Sequence, residues 1–151
     1  MQENNVGTAQ KKTVIIAAIV VVAVILGVSW YFFGRPTPPR ATFAPQGALI
    51  SGFPQNLVLD TAAAINNSYS IAYSGNLNQY TANWVSSSSM DALYGKYLQY
   101  FTANGWTITN SSTAIAGFRG LYAVNPSADV NVAMSNVGAG GLRVTVSYVK
   151  K

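Results

Sequence analysis

The side chains that could carry out catalysis are few in this sequence. Ser86–Ser89 form a run of candidate nucleophiles, but a nucleophilic serine needs a neighbouring base. The chain contains no His, and no serine of this run lies three residues before Lys96, since position 93 is Leu93. The serines precede a segment with helical periodicity, so we interpret them as a helix cap.

The acidic residues do not form a recognisable catalytic or metal-binding set. Asp91 is explained by the start of the same helix, where an acid interacts favourably with the helix dipole. The segment from Asn125 to Asn131 supplies alternating side-chain oxygens, including that of Asp129. It lacks the glycine and the glutamate of a calcium-binding loop. Since Cys and His are absent altogether, we predict no enzymatic activity, no metal site and no cofactor.

Low charge narrows the class of partner. Charged residues make up 9% of the chain, against roughly 25% in a typical soluble domain. Residues 48–151 contain five basic and three acidic side chains, a net charge of +2. Nucleic-acid binding usually requires a stronger basic patch, so no nucleic-acid partner is predicted. The candidate partner-binding residues are instead Tyr80, Tyr100 and Tyr122, because flat rings that face outward suit sugars or partner proteins.

An uncharged apolar segment favours attachment to a membrane. Residues 13–33 read TVIIAAIVVVAVILGVSWYFF, and about 20 helical residues span the roughly 30 Å of a bilayer core. The segment is too long for the apolar region of a signal peptide, and bulky residues follow it, so an uncleaved anchor is predicted. The expected partner of residues 13–33 is therefore the lipid bilayer.

The flanking segments give the predicted domain organisation. Residues 1–12 form a short polar tail, and residues 34–47 form a proline-rich linker that favours an extended spacer. Two basic residues flank the apolar segment on each side, so charge alone does not orient it. The tail is too small to be a functional domain. We therefore expect a cytoplasmic amino terminus and an extracytoplasmic domain over residues 48–151.

Periodicity predicts an α+β domain. Apolar residues recur at helical spacing from Leu93 to Phe101, and Asn104-Gly105 is typical of a helix end. Ser88 with Asp91 resembles a capping box, and Gly95 suggests a close approach of the helix to a sheet. Segments of alternating polarity lie before and after the helix. One helix packed on an antiparallel sheet of about five or six strands is expected, with residues 57–65 left open between helix and strand.

These features predict a single-pass, membrane-anchored envelope protein with a non-catalytic binding or scaffolding domain. Its partner would be an unknown protein or a cell-wall polymer. The alternative is a subunit of a surface filament or layer, since low charge and many Asn, Ser and Tyr side chains suit subunit packing. A pilin also joins an apolar helix to a sheet, but its leader motif is missing, and Lys11 and Lys12 lie where apolar residues would be.

Overall fold

The computed structural model describes residues 39–73, 77–138 and 141–151. The predicted membrane anchor, residues 13–33, lies outside these ranges, as do residues 34–38 at the start of the predicted linker. No helix within the described part of the chain has the length and hydrophobicity needed to cross a bilayer. The described elements are β1 Arg40–Phe43, a 3₁₀ turn Gln55–Leu57, β2 Ala64–Ala72, β3 Asn78–Ser86, α1 Met90–Ala103, β4 Thr107–Ser112, β5 Phe118–Asn125, β6 Ala128–Val137 and β7 Gly141–Lys150.

The strands form one sheet in the order β1-β2-β3-β7-β6-β5-β4. Every neighbouring pair is antiparallel. Helix α1 connects β3, in the middle of the sheet, to β4 at the far edge. The prediction of one helix packed on an antiparallel sheet is therefore confirmed for the described residues.

The sheet has seven strands, where the alternation of the sequence predicted five or six. The additional strand, β1, lies inside the segment expected to be linker, and it pairs with β2 from Arg40↔Ala72 to Phe43↔Tyr69. Four residues next to prolines are too few to show the alternation of polar and apolar side chains that predicts a strand. β1 is held extended by its pairing with β2, which the local sequence does not reveal. The ambiguous segment at 57–65 contains the end of the 3₁₀ turn and the start of β2.

Helix α1 begins and ends through local signals. The N-cap is Ser89, whose hydroxyl accepts a hydrogen bond from the Ala92 amide, so the cap lies one residue after the predicted Ser88. At the other end, Gly105 has φ of +71°, and the Trp106 amide donates to the Phe101 carbonyl at 2.9 Å. This six-residue closure is the Schellman arrangement, and it confirms the predicted end.

The helix buries one narrow face. Leu93, Tyr97 and Phe101 are fully buried at a spacing of four residues, whereas Leu98 is only half-buried. Gly95 is exposed, and a side-chain carbon added there would meet nothing within 4 Å. The expected close approach of Gly95 to the sheet is therefore wrong.

The core lies between one face of the sheet and two covering segments. Helix α1 is one of them, and the loop between β1 and β2 is the other, since Phe53 and Leu57 join the same buried cluster. The sheet contributes inward-facing side chains from its central strands, among them Trp84, Val132 and Val144. Because side chains alternate along a strand, their sequence neighbours lie on the opposite face. No described element covers that opposite face, which we call the open face.

Candidate binding surface

The three tyrosines predicted to contact a partner lie in three different environments. Tyr80 lies in β3 and faces the side of the sheet that the helix and the loop cover. Tyr100 lies on helix α1, and Tyr122 lies in β5 and faces the open side. The structure therefore does not bring them together into one surface. Each one has to be assessed separately.

Tyr80 belongs to the margin of the core. It is half-buried and packs against the core cluster, and its ring lies 6.2 Å from that of Tyr148 on the neighbouring strand. The backbone of Gly52 passes directly over the ring, because a side-chain carbon added at Gly52 would fall 2.6 Å from Tyr80 Cε1. Part of the Tyr80 ring therefore contacts the β1–β2 loop.

Tyr100 is a peripheral contact of the helix. It is half-buried, and its ring meets Phe101 edge-on at 5.8 Å between centroids. Desolvation raises the pKa of its phenol. Tyr100 therefore packs against the core cluster from the helix and is only partly accessible to a partner.

Tyr122 is the candidate that faces outward. Its side chain is 36% exposed, and it pairs directly across β5 and β6 with Asn131, which is also exposed. Two shallow clefts, of about 180 and 290 Å³, open on either side of this pair, and both residues line both clefts. The pair therefore forms a raised centre with a depression on each side.

Neutral hydrogen-bonding side chains line both clefts, together with the apolar residues Phe118, Leu121 and Val149 and the carboxylate of Asp129. Amides come from Gln79, Asn110 and Asn131, and hydroxyls come from serines such as Ser112 and Ser147. Amide side chains both donate and accept hydrogen bonds, and hydroxyls do the same. Such a surface can satisfy a partner that carries both donors and acceptors but no net charge.

Register places the Tyr122–Asn131 pair in a longer row across the sheet. Neighbouring strands place side chains directly opposite one another. On the open face, five adjacent strands each contribute one uncharged residue at the same level. We call this set the cross-strand row: Tyr122, Asn131, Ser147, Thr81 and Tyr69.

The cross-strand row has an aromatic ring at each end and polar groups between them. Four strand spacings separate Tyr122 from Tyr69, about 19 Å at roughly 4.8 Å each. Asn110 extends the row beyond Tyr122, and Phe43 extends it beyond Tyr69, with ring centroids 5.5 Å apart. Thr81 is buried and shares a hydrogen bond of 3.1 Å with Ser147. The hydroxyls in the middle of the row therefore bond to each other. The hydrogen-bonding groups that remain available to a partner lie near Asn131.

A second ring lies beside Tyr122 on β5. Phe118 precedes it by four residues on the same face, and Gly120 lies between them. A side-chain carbon at Gly120 would approach the Phe118 ring to 3.2 Å, so the absence of one lets the ring lie close to the sheet. Gly120 pairs across the sheet with Ala133. The Phe118 ring thus lies over Gly120, next to Tyr122.

The charges near this surface are paired. Asp129 lines one of the clefts, and Lys151 Nζ lies 2.6 Å from its Oδ1 atom. The side-chain oxygen of Asn125, once considered for a calcium loop, accepts hydrogen bonds from the Ser127 and Ala128 amides and holds the β5–β6 turn. The described residues contain no cluster of three or more acidic side chains that could hold a metal ion.

The basic side chains do not form one patch. Arg119 Nη2 lies 3.2 Å from Asp91 on the helix, and its Nη1 atom donates to backbone carbonyls of the β4–β5 connection, the closest being that of Phe118 at 2.9 Å. Arg143 is exposed on the open face, where it pairs in register with Ser135. This pair lies near one end of the β6–β7 ladder, and Asp129 lies near the other end. Arg119 is therefore a structural cation, and the open face carries one unpaired basic group among the described residues.

Sequence reasoning identified Tyr122 but missed its neighbours. The sequence suggests Asn131 only as a possible calcium ligand, and no local pattern singles out Ser147 or Tyr69. Thr81 and Ser147 are 66 positions apart in the chain, so no local pattern could reveal their proximity. No protein-family profile, no curated protein and no solved structure matches this chain.

Proposed function

We propose that this chain is a single-pass, membrane-anchored envelope protein whose extracytoplasmic domain binds a partner through the open face of its sheet, without catalysis. The observation that carries the binding role is the asymmetry of the sheet. A helix and a loop cover one face, whereas the other presents the exposed Tyr122–Asn131 pair between two clefts. A face with exposed rings and amides is suited to contact, and the carboxylate that lines one of its clefts, Asp129, is held in an ion pair with Lys151.

The anchoring role is supported by residues 13–33, which contain no charge and are long enough to span a bilayer as a helix. The domain would then be held outside the cell by the short segment that precedes β1. The partner would be a protein or a cell-wall polymer within reach of the membrane surface.

Topology can be tested with single cysteines, because the native chain has none. In the full-length chain, Ala116→Cys lies in an exposed connection between β4 and β5. We expect it to react with a membrane-impermeant maleimide on intact cells, or on spheroplasts if an outer membrane is present. Ala9→Cys in the predicted cytoplasmic tail is the matched control and should react only after lysis. The reverse pattern would show that the orientation is inverted, and equal labelling of both before lysis would contradict an anchor.

The binding surface can be tested in the same cells by crosslinking. A short photo-crosslinker attached at Asn110→Cys, on β4 opposite Tyr122, reports on the open face, and one attached at the exposed Gln99→Cys reports on the helix. We expect adducts from the open face and few from the helix. Adding Tyr122→Ala to the Asn110→Cys variant should reduce them about tenfold, as loss of a hot-spot ring does. Equal adducts from both faces would refute the open face as the binding surface.

A second candidate is a subunit of a filament or layer, favoured by one edge of the sheet. β1 is a four-residue edge containing Arg40, whereas β4 is a six-residue edge without charge or proline. Uncharged edge strands can pair with another chain. If β4 pairs between subunits, the full-length chain in detergent should sediment as long assemblies, and Thr109→Lys should shorten them. Particles of uniform small size in both forms would exclude this candidate.

A further inference from the structure

We infer that the open face binds a neutral polysaccharide, with the Tyr122 ring as a stacking platform and the Asn131 amide as its main hydrogen-bonding group. This inference rests on the proposed binding function and names the chemical class of the partner. Its basis is the combination of an exposed ring, a directly paired amide and clefts lined by hydroxyls and amides.

The two chemical surfaces of a sugar match the two kinds of side chain found here. A sugar ring presents C–H groups on its faces, which pack on an aromatic ring, and hydroxyls at its rim, which donate and accept hydrogen bonds. Tyr122 is 36% exposed, and Asn131 lies directly across the strand pair from it. A sugar seated on the ring would therefore have its rim within reach of the amide.

The polar groups nearest Tyr122 are free to serve a ligand. Asn110 and Asn131 are exposed, and neither side-chain amide has a hydrogen bond to another described residue. By contrast, Thr81, further along the row, is buried and bonded to Ser147. The side of the sheet formed by β4, β5 and β6 is therefore where hydrogen bonds to a sugar are expected.

The shape of the surface favours a polymer over a single sugar. The two clefts flank the Tyr122–Asn131 pair and do not enclose it. Phe118 lies on the same face of β5, and its ring leans over Gly120 towards Tyr122. An extended chain laid along β5 can contact both rings, whereas a monosaccharide seated on the Tyr122 ring can contact one.

Charge argues against acidic partners and against a typical protein interface. The cross-strand row contains no charged residue, Asp129 is paired with Lys151, and Arg143 lies away from the two clefts. Protein interfaces concentrate aromatic, Met and Arg side chains at their centre. Here the centre of the row is an amide and two hydroxyls, and the rings lie at its ends.

The test uses the full-length chain in detergent micelles, with defined polysaccharides as probes. Depletion from solution by insoluble chitin and cellulose, and retardation in native gels containing laminarin or mannan, measure binding to neutral glycans. Alginate serves as the anionic comparison. We expect retention by at least one neutral glycan and weaker retention by alginate.

Substitutions at the proposed site distinguish specific glycan binding from non-specific adhesion of the protein. Tyr122→Ala should weaken neutral-glycan binding about tenfold or more, and Asn131→Ala about three- to tenfold, in line with losing a buried contact or a hydrogen bond. Tyr122→Phe should bind within about twofold of the native chain because it keeps the ring. Tyr100→Ala, on the other side of the sheet, should bind as the native chain does. Thermal melting of each variant establishes that it is folded.

The outcomes distinguish this inference from the proposed function. If no neutral glycan is retained, or if Tyr122→Ala binds as well as the native chain, the polysaccharide inference is overturned. If the crosslinks at the open face then persist and join the chain to a protein, the binding function stands with a protein partner. If the crosslinks are also absent, the proposed function fails as well.

Discussion

The Tyr97 phenol donates a hydrogen bond of 2.7 Å to the Leu57 carbonyl, and both residues are buried. This contact joins the middle of helix α1 to the 3₁₀ turn in the β1–β2 loop, 40 residues earlier in the chain. It fixes the two segments that together cover one face of the sheet. The open face is the consequence, since both covering segments lie on the same side.

Removing the Tyr97 hydroxyl should destabilise the fold without emptying the core. Tyr97→Phe leaves the Leu57 carbonyl buried without its donor, and we expect a loss of about 1–3 kcal/mol in the free energy of unfolding. Tyr94→Phe is the matched control, because Tyr94 is half-buried on the same helix; its loss should be within about 0.5 kcal/mol. Urea unfolding of the full-length chain in detergent measures both. Equal losses would contradict a special role for the Tyr97 bond.

The same phenol predicts a loss of stability in alkali. Burial raises the pKa of Tyr97 above the ordinary value of about 10. Above pH 10 the unfolded chain therefore releases this proton while the folded chain retains it, so stability falls as pH rises; below pH 10 both states are protonated and this group contributes no slope. We expect melting temperature to fall more steeply from pH 10 to 11.5 in the native chain than in Tyr97→Phe. Parallel curves would show that Tyr97 ionises equally in both states.

Two glycines near the helix should respond to alanine with opposite signs. Gly95 is an exposed helical residue with open space around it, so Gly95→Ala should stabilise the chain by about 0.5–1 kcal/mol. Gly105 ends the helix with φ of +71°, where an L side chain is strained, so Gly105→Ala should destabilise by about 1–2 kcal/mol. Chemical unfolding of both variants provides the comparison. A destabilising Gly95→Ala would mean that the helix is constrained at that point.

Two leucines test the buried face of the helix. Leu93 is fully buried and should lose about 2–5 kcal/mol on truncation to alanine. Leu98, which helical spacing also placed on the apolar face, is half-buried and should lose less than Leu93. Urea unfolding of both variants measures these losses. If the dependence of the unfolding free energy on urea concentration is unchanged, the shift in midpoint gives the difference in stability. The reverse order would show that the helix is rotated from the observed position.

Local chemistry in the sequence determined the helix and the hairpins. The serines before α1, the Asn104-Gly105 end and the alternation of β6 and β7 act through residues only a few positions apart, so they could be interpreted without knowing the fold. The serine run does contain the cap, and only the capping box was predicted one residue early, because neighbouring serines carry the same chemistry. The apolar segment at residues 13–33 likewise predicts an anchor from composition alone.

Tertiary structure decided which surface is free. Tyr80 and Tyr122 both lie on strands with alternating patterns, yet one lies beneath the β1–β2 loop and the other on the open face. That difference depends on where α1 and the loop pack, which involves contacts between distant parts of the chain. β1 and the cross-strand row depend in the same way on strand order and register, because Thr81 meets Ser147 only after β7 pairs with β3. Short-range periodicity carries no information about such pairings, so the candidate site emerges only from the folded sheet.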